Sequence, residues 1–431
     1  MAKRTKHRKQ HSKFRLDDLS LEKRRRFLES FATEFSGFLE APEESRRGRK
    51  EIMDDLKVDV RQFDGLLRHL YRDGYLQLAY HRLSGRADRL KAEQVFQALD
   101  EITVVGGSDP ERFAQAAAVD FIKSMVQIGQ LKRGKHADLP LNVGIVSGNT
   151  TGSVVRAAMK LNWSKDLENV RADELPKIQV FALNVCLTVP DHLPGNATLL
   201  AYQLAEKIRS EGGEADGYGL SAPLMVRKDD LRSVDEAPQT FDVLKFTEPY
   251  RVREKLGSQG VSEQDISETD TELDIVLTGV GELPRQAGKG SEAEEKGSIF
   301  YRLAEAHGFK MDAIIAREHI VGDIAFTAIR SDGTPVTLRK HDLTDVAQQG
   351  PSSAQLDHDG ESTEYVFYSA VQLPVLEAMA GSKDKSVILV ARDAPMKDKV
   401  PAIFASLGGK GHRYASRLVI DERTANGLYH Y

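Results

Sequence analysis

A run of small and hydroxyl-bearing residues has the composition of an anion site. It reads Ser147-Gly148-Asn149-Thr150-Thr151-Gly152 and follows an apolar run over 141–146. Glycine lets the backbone approach an anion closely, and hydroxyl groups and helix N-terminal amides donate hydrogen bonds to phosphate oxygens. The run is not a P-loop, because no lysine follows its second glycine, and not a dinucleotide fingerprint, because a third glycine is missing. Taken alone, it predicts either an anion site or a plain strand-to-helix turn.

Further polar segments follow the first along the chain. They carry Asn196, Glu282, Asp323, Lys399 and the run over 420–425. Open α/β sheets bind ligands at the carboxyl ends of their strands, so we expect these side chains to line one site. The alternative interpretation makes Glu282 and Asp323 helix caps or surface charges and Lys399 a solvated helix residue.

Apolar runs alternate with amphipathic segments from residue 101 onward, which predicts a parallel sheet wrapped by helices. The strand candidates are 102–105, 141–146, 178–185, 217–221, 273–278, 324–328, 387–391 and 418–420. The helix candidates are 110–128, 153–161, 197–210, 298–306, 370–380, 397–407 and 423–429. The stretches 283–296 and 345–364 are rich in Gly, Ser, Gln and charge and are typical of surface loops.

Positively charged residues are concentrated at the start of the chain. Residues 1–20 are polar and basic and predict a disordered arm, and Lys23-Arg24-Arg25-Arg26 follows it, although the net charge of the chain is −5. Lysine and arginine release counterions from phosphates, so a polyanion partner is one interpretation and a solvated tail without a partner is the other. We expect a winged helix-turn-helix over 21–82, a linker helix over 83–100 and a large α/β domain over 101–431.

The helix-turn-helix prediction comes from the spacing of apolar residues between 46 and 80. Glu51, Ile52 and Leu56 match the first helix of the winged helix-turn-helix of bacterial regulators, and Gly74-Tyr75 matches the end of its second helix. This resemblance implies that Arg61, Gln62 and Arg68 contact DNA. Asp59 and Asp64 suit DNA poorly, and the alternative is a packing or dimerisation module.

The ordered series of polar segments resembles the sugar-binding domain of SorC/DeoR-type transcriptional regulators. The resemblance implies a doubly wound, mostly parallel sheet related to sugar-phosphate isomerases and CoA transferases. It also implies an effector phosphate at Gly148, Asn149, Thr150, Thr151 and Gly152 with Lys399, sugar hydroxyls at Glu282 and Asp323, and a further polar contact from Asn196. The chain departs from the family where Arg392-Asp393-Ala394-Pro395-Met396 replaces a Gly-Gly pair; Arg392 then pairs either with a phosphate or with Asp393 or Asp398.

These features predict a DNA-binding regulator gated by a phosphorylated sugar, without catalytic activity, cofactor or metal. We expect DNA, the sugar phosphate and further copies of the chain (a dimer or tetramer) as partners. The absence of a long apolar stretch predicts a cytoplasmic protein that does not span the membrane. Two alternatives remain open: a sugar-phosphate isomerase or deaminase that uses Glu282 or Asp323 as a base, and a sugar-phosphate sensor that does not bind DNA.

Overall fold

The computed structural model describes most of the chain beyond residue 95. The described ranges are 96–106, 109–135, 139–167, 170–184, 195–220, 225–227, 273–283, 298–339, 342–343, 364–367, 371–392, 399–408 and 411–429, with the single residues 87, 90 and 369. The predicted basic arm and helix-turn-helix, with Arg61, Gln62 and Arg68, lie outside the described residues. No described helix is long and apolar enough to cross a bilayer.

Thirteen strands are present in the described part of the chain. They are β1 (Glu101–Val105), β2 (Leu141–Ile145), β3 (Ile178–Ala182), β4 (Ala215–Tyr218), β5 (Met225–Arg227), β6 (Ile275–Glu282), β7 (Ile320–Ile324), β8 (Thr327–Arg330), β9 (Pro335–Val336), β10 (Leu338–Arg339), β11 (Glu364–Phe367), β12 (Ser386–Ala391) and β13 (Arg417–Asp421). Seven of them form one path in the order β1-β13-β12-β6-β2-β3-β4, and every pair along it is parallel. This confirms the predicted mostly parallel sheet.

Nine α-helices connect these strands within the described residues. They are α1 (Pro110–Lys135), α2 (Asn149–Lys160), α3 (Trp163–Asp166), α4 (Ala197–Ser210), α5 (Ile299–Ala306), α6 (Met311–Glu318), α7 (Leu373–Gly381), α8 (Val400–Gly408) and α9 (Glu422–Tyr429). All residues of β2 and β12 are buried, as expected for parallel strands that are covered on both faces. α4 buries Leu200, Leu204 and Ile208, which lie on one face at helical spacing.

The strand order reverses between β2 and β6. From β2 the chain proceeds to β3 and β4 on one side, and from β6 it proceeds to β12 and β13 on the other. Neighbouring connections therefore leave in opposite directions at the carboxyl ends of β2 and β6. This topological switch point is where open α/β sheets leave a crevice for ligands.

An antiparallel extension grows from the carboxyl end of β6. β6 pairs with β7, β7 with β8 and β8 with β9, all antiparallel. The predicted single strand over 324–328 is wrong, because Ala325 and Phe326 form the two-residue turn of the β7–β8 hairpin, with φ of 49° and 63°. The predicted end of the strand at Thr278 is also too early, because β6 runs through Gly279 and Gly281 to Glu282.

Two apolar clusters lie within the part of the chain that the structure describes. The larger joins the parallel sheet to α7 and α8 through residues such as Val276, Leu389 and Ile403. The smaller packs α5, α6 and the antiparallel strands through an aromatic group in which the rings of Phe300 and Phe367 meet edge to face at 5.3 Å. The segments that line the switch point come from both clusters.

Candidate functional site

A cavity of about 290 Å³ lies at the carboxyl ends of β2, β6 and β12. It is lined by residues 146–151, 279–282, 298–299, 302, 323, 325–326, 392 and 399. The structure therefore brings Gly148, Asn149, Thr150 and Thr151 together with Glu282, Asp323 and Lys399, as the sequence predicts. Gly152 and Asn196 are not among the lining residues.

The N-terminus of α2 forms one wall of the cavity. The helix begins at Asn149, four residues before the predicted start. The polar residues from Asn149 to Gly152 therefore form its first turn and not a loop. Gly148 is the N-cap and provides no side-chain capping hydrogen bond. Because the first amides of a helix have no intrahelical acceptor, the N–H groups of Asn149 and Thr150 are available to an anion, whereas Thr151 is fully buried. Gly152 is buried in the helix, where its amide donates to the Gly148 carbonyl at 2.8 Å.

The start of α2 is fixed by the segment that precedes α4. The Gly148 amide donates to the Gly195 carbonyl at 3.0 Å, and the Ala197 amide donates to the Ser147 hydroxyl at 3.0 Å. A Cβ on Gly195 would lie 2.8 Å from the Gly148 carbonyl carbon, so only glycine allows this approach. These contacts hold the α2 amides in place before any ligand arrives.

Asn196 acts in the structure as a helix cap. Its Oδ1 accepts a hydrogen bond from the Leu199 amide at 3.2 Å and so caps α4. Asn196→Ala is expected to lower the free energy of unfolding by about 1 kcal/mol, the usual cost of a lost N-cap, while ligand affinity stays within about twofold. Urea unfolding and ligand titration of the same variant check both. A tenfold loss of affinity with unchanged stability would instead make Asn196 a ligand contact.

Lys399 and Glu282, which also line the cavity, form an ion pair. The Lys399 ammonium lies 3.4 Å from the Glu282 carboxylate, and the two side chains are only 9% and 8% exposed. Lys399 directly precedes α8, and its carbonyl accepts from the Ile403 amide at 2.9 Å. Such low exposure excludes the interpretation of Lys399 as a solvated helix residue and of Glu282 as a surface charge.

Asp323 sits beside this pair on β7. Its carboxyl packs against the Cα of Gly281, its partner in the β6–β7 register, where an added Cβ would lie 1.9 Å from Oδ1. Burial raises the pKa of Asp323 to about 7; the nearby Glu282 carboxylate also raises it, whereas the hydrogen bond from Ser298 and the Lys399 ammonium lower it. Asp323 therefore keeps its proton to a higher pH than an ordinary aspartic acid does.

Arg392, Arg302 and Phe326 complete the cavity. Arg392 follows β12 and lines the cavity, as one of its two predicted interpretations requires; Asp393 and Asp398 lie outside the described residues. Arg302 and Phe326 were not predicted. The burial of Ile299, Phe300, Leu303 and Ala304 on α5 places Arg302 beside an apolar face, but only the fold brings that face to the switch point.

The site combines helix amides, three cationic side chains and two carboxyl groups around one cavity. Cations and amides stabilise an anionic group, whereas carboxyl groups hydrogen-bond hydroxyl groups. The described residues contain no cluster of three or more His, Cys, Asp or Glu side chains that could hold a metal ion. The arrangement is therefore suited to a small ligand that carries both an anion and hydroxyl groups.

No family model and no curated protein matches the chain. Several solved structures do match it. The full-length sorbitol operon regulator SorC from Klebsiella pneumoniae is 14% identical, with 92% of this chain and 98% of that chain covered and a TM-score of 0.46. The probable sor operon regulator from Shigella flexneri is 16% identical (80% and 98% covered, TM-score 0.43), and a DeoR family transcriptional regulator from Listeria monocytogenes is 17% identical (80% and 98%, TM-score 0.43). The chain is thus similar to SorC- and DeoR-type regulators, the resemblance that its motif order predicts.

Proposed function

We propose that the cavity binds a phosphorylated sugar and that the chain is a transcriptional regulator whose DNA binding responds to this ligand. The observation that carries the proposal is that the N-terminal residues of α2, Asn149–Thr151, and Lys399 line the same cavity. These two elements are about 250 residues apart in the sequence, and both supply hydrogen-bond donors to an anion.

The remaining lining residues favour a sugar as the body of the ligand. Glu282 and Asp323 offer carboxyl oxygens to hydroxyl groups, and the Phe326 ring adds an apolar surface. The volume of about 290 Å³ lies at the small end of the range for small-molecule sites, roughly 300–1,000 Å³. A monosaccharide phosphate is of the right chemical class and of modest size.

The DNA-binding half of the proposal rests on the sequence. The basic arm and the predicted recognition residues Arg61, Gln62 and Arg68 support contact with DNA. Helix-turn-helix proteins read paired half-sites, which favours a homo-oligomer. A sugar phosphate regulates such an assembly only if it binds the DNA-competent and DNA-incompetent states with different affinities.

A thermal-shift screen tests the ligand. Glucose 6-phosphate, fructose 6-phosphate and ribose 5-phosphate are each compared with the same sugar without phosphate. At about 100 times its dissociation constant, a ligand stabilises the folded protein by about 2.7 kcal/mol, so at least one phosphate ester should raise the melting temperature while its parent sugar should not. Equal shifts from both members of every pair, or no shift from any, would contradict the phosphate site.

A gel-shift titration tests the response of DNA binding. Duplex DNA from upstream of the coding sequence should be retarded at low salt, and the sugar phosphate found in the screen should change its apparent affinity. Arg61→Ala and Arg68→Ala should weaken retardation, whereas substitution of the exposed Lys383 by methionine should not. No retardation by the full chain at low salt would reject DNA binding and leave only a sensor.

A further inference from the structure

Burial and an unpartnered oxygen favour the neutral form of Asp323. Its side chain is enclosed, and Oδ1 is buried without a hydrogen-bond partner among the described residues. That oxygen faces the Cα of Gly281, which cannot solvate a negative charge well. An ionised carboxylate can accept about four hydrogen bonds, so an unpartnered oxygen leaves the ion poorly stabilised.

The charged groups around the cavity come from several elements. Glu282 on β6 adds a second negative charge beside Asp323, and Lys399 ahead of α8 adds a positive one. Arg302 on α5 and Arg392 after β12 line the same cavity. The local electrostatic balance therefore depends on whether Asp323 carries a proton.

Other charged groups packed against β7 lie away from Asp323. Glu318 at the end of α6 and Arg330 on β8 form an ion pair beside Ile320, the first residue of β7. His319 also precedes that first residue and is exposed. Among the described residues, Ser298, Glu282 and Lys399 are the groups that act directly on Asp323, and the two arginines share the cavity with it.

The charge count of the cavity changes with the protonation of Asp323. Among the described lining residues, the three cations leave a net charge of +1 when both carboxyl groups are ionised, and a dianion lowers this charge by two. When Asp323 is protonated, the net charge is +2 and a dianion neutralises it. We infer that the cavity takes up its anionic ligand together with a proton on Asp323, so that affinity for the anion falls as the pH rises through neutrality.

This inference rests on the proposed anion site and adds its regulation. An anion bound close to a carboxyl group raises the pKa of that group, and linkage then requires that protonation strengthens anion binding. Because burial already raises the pKa of Asp323 to about 7, the uptake occurs at a pH where both forms are populated. The regulator would then respond to the pH as well as to the sugar.

Sulfate is a suitable probe because it stays dianionic from pH 6 to pH 8.5, whereas phosphate esters titrate near pH 6. Isothermal titration calorimetry of the full chain should show that sulfate affinity falls by about 10- to 30-fold over this range. At about pH 7.5, two buffers of different ionisation enthalpy should report the uptake of roughly three-quarters of a proton per sulfate bound. The second measurement needs no variant.

Asp323→Asn is the decisive variant, because it keeps the shape of the side chain and stays neutral at every pH. Its sulfate affinity should be nearly independent of pH, while Asp384→Asn, at an exposed position, should retain the pH dependence of the unsubstituted protein. Equal pH dependence in Asp323→Asn and the unsubstituted protein would overturn the inference and leave the anion site intact. No sulfate binding at either pH would overturn both.

Discussion

Lys399→Met is expected to lower the free energy of unfolding by about 3–5 kcal/mol at pH 8, as measured by urea denaturation. The substitution keeps most of the apolar stem but removes the ammonium that lies 3.4 Å from the Glu282 carboxylate. Glu282 would then remain as a buried negative charge beside Asp323 after the loss of this ion pair. The cost should shrink toward pH 5, because a buried carboxylate that has lost a nearby cation is protonated more readily as the pH falls.

Ligand binding should weaken in the same variant. A hydrogen bond to a charged group contributes about 1.5–3 kcal/mol, so the affinity for a sugar phosphate should fall by about 10- to 150-fold. Calorimetry under conditions in which the variant is folded measures this loss. Affinity unchanged within a factor of two would place the anion away from Lys399.

Two further variants distinguish the loss of the ion pair from a general disruption of the fold. In Lys399→Met/Glu282→Gln both charges are absent, so at least half of the lost stability should return. Lys383→Met replaces an exposed lysine and should stay within about 0.5 kcal/mol of the unsubstituted protein. A double variant no more stable than Lys399→Met would show that the ion pair is not the source of the loss.

Local sequence signals were sufficient to predict the parallel sheet. The runs that form β2 and β12 are short, continuous and apolar, as strands buried on both faces must be. The bounds of α4 were predicted without error, because Asn196 caps its N-terminus and one face is apolar at helical spacing. In these elements, local propensity and burial favour the same structure.

The sequence did not predict the antiparallel extension, and the cause also lies in a few local residues. The predicted strand ends at Thr278, before Gly279 and Gly281, but the structure continues β6 through both glycines. Gly281 is required because the Asp323 carboxyl packs on its Cα. The real turn, Ala325-Phe326, adopts positive φ without glycine or asparagine, so the usual hairpin signal is missing. Its strained backbone is held by the contacts of Phe326 in the smaller apolar cluster.

The sequence predicted some residues of the candidate site and missed others. Glu282 is the last residue of β6 and Lys399 precedes α8, so the rule that ligands bind at the carboxyl ends of strands finds them. Asp323 was selected by the same rule, although the structure places it within the antiparallel strand β7. Arg302 lies within α5, and no local pattern connects it with the switch point. Asn196 and Gly152 were selected for their position in a motif, yet the structure uses one as a cap and buries the other.

Asp323→Asn is expected to stabilise the folded protein at pH 8 by about 4 kcal/mol, although the residue lies in the proposed binding site. The pKa of Asp323 is about 7 in the folded protein and 3.8 for the ordinary carboxyl. A group with a raised folded pKa contributes stability below its unfolded pKa, and this stability is lost as the pH rises through the folded value. The loss therefore runs from about pH 4 to pH 7, at about 1.4 kcal/mol per unit.

Urea unfolding of both proteins at pH 5 and pH 8 measures this loss without interference from other titrating groups, because those groups are common to both. The stability difference between Asp323→Asn and the unsubstituted protein should grow by about 3 kcal/mol over that interval. A difference that stays constant would mean that Asp323 ionises as an ordinary carboxyl. A growing difference would show that the protein is more stable with an amide than with a carboxyl group at position 323. Such a cost in stability is expected where a residue is kept for binding rather than for folding.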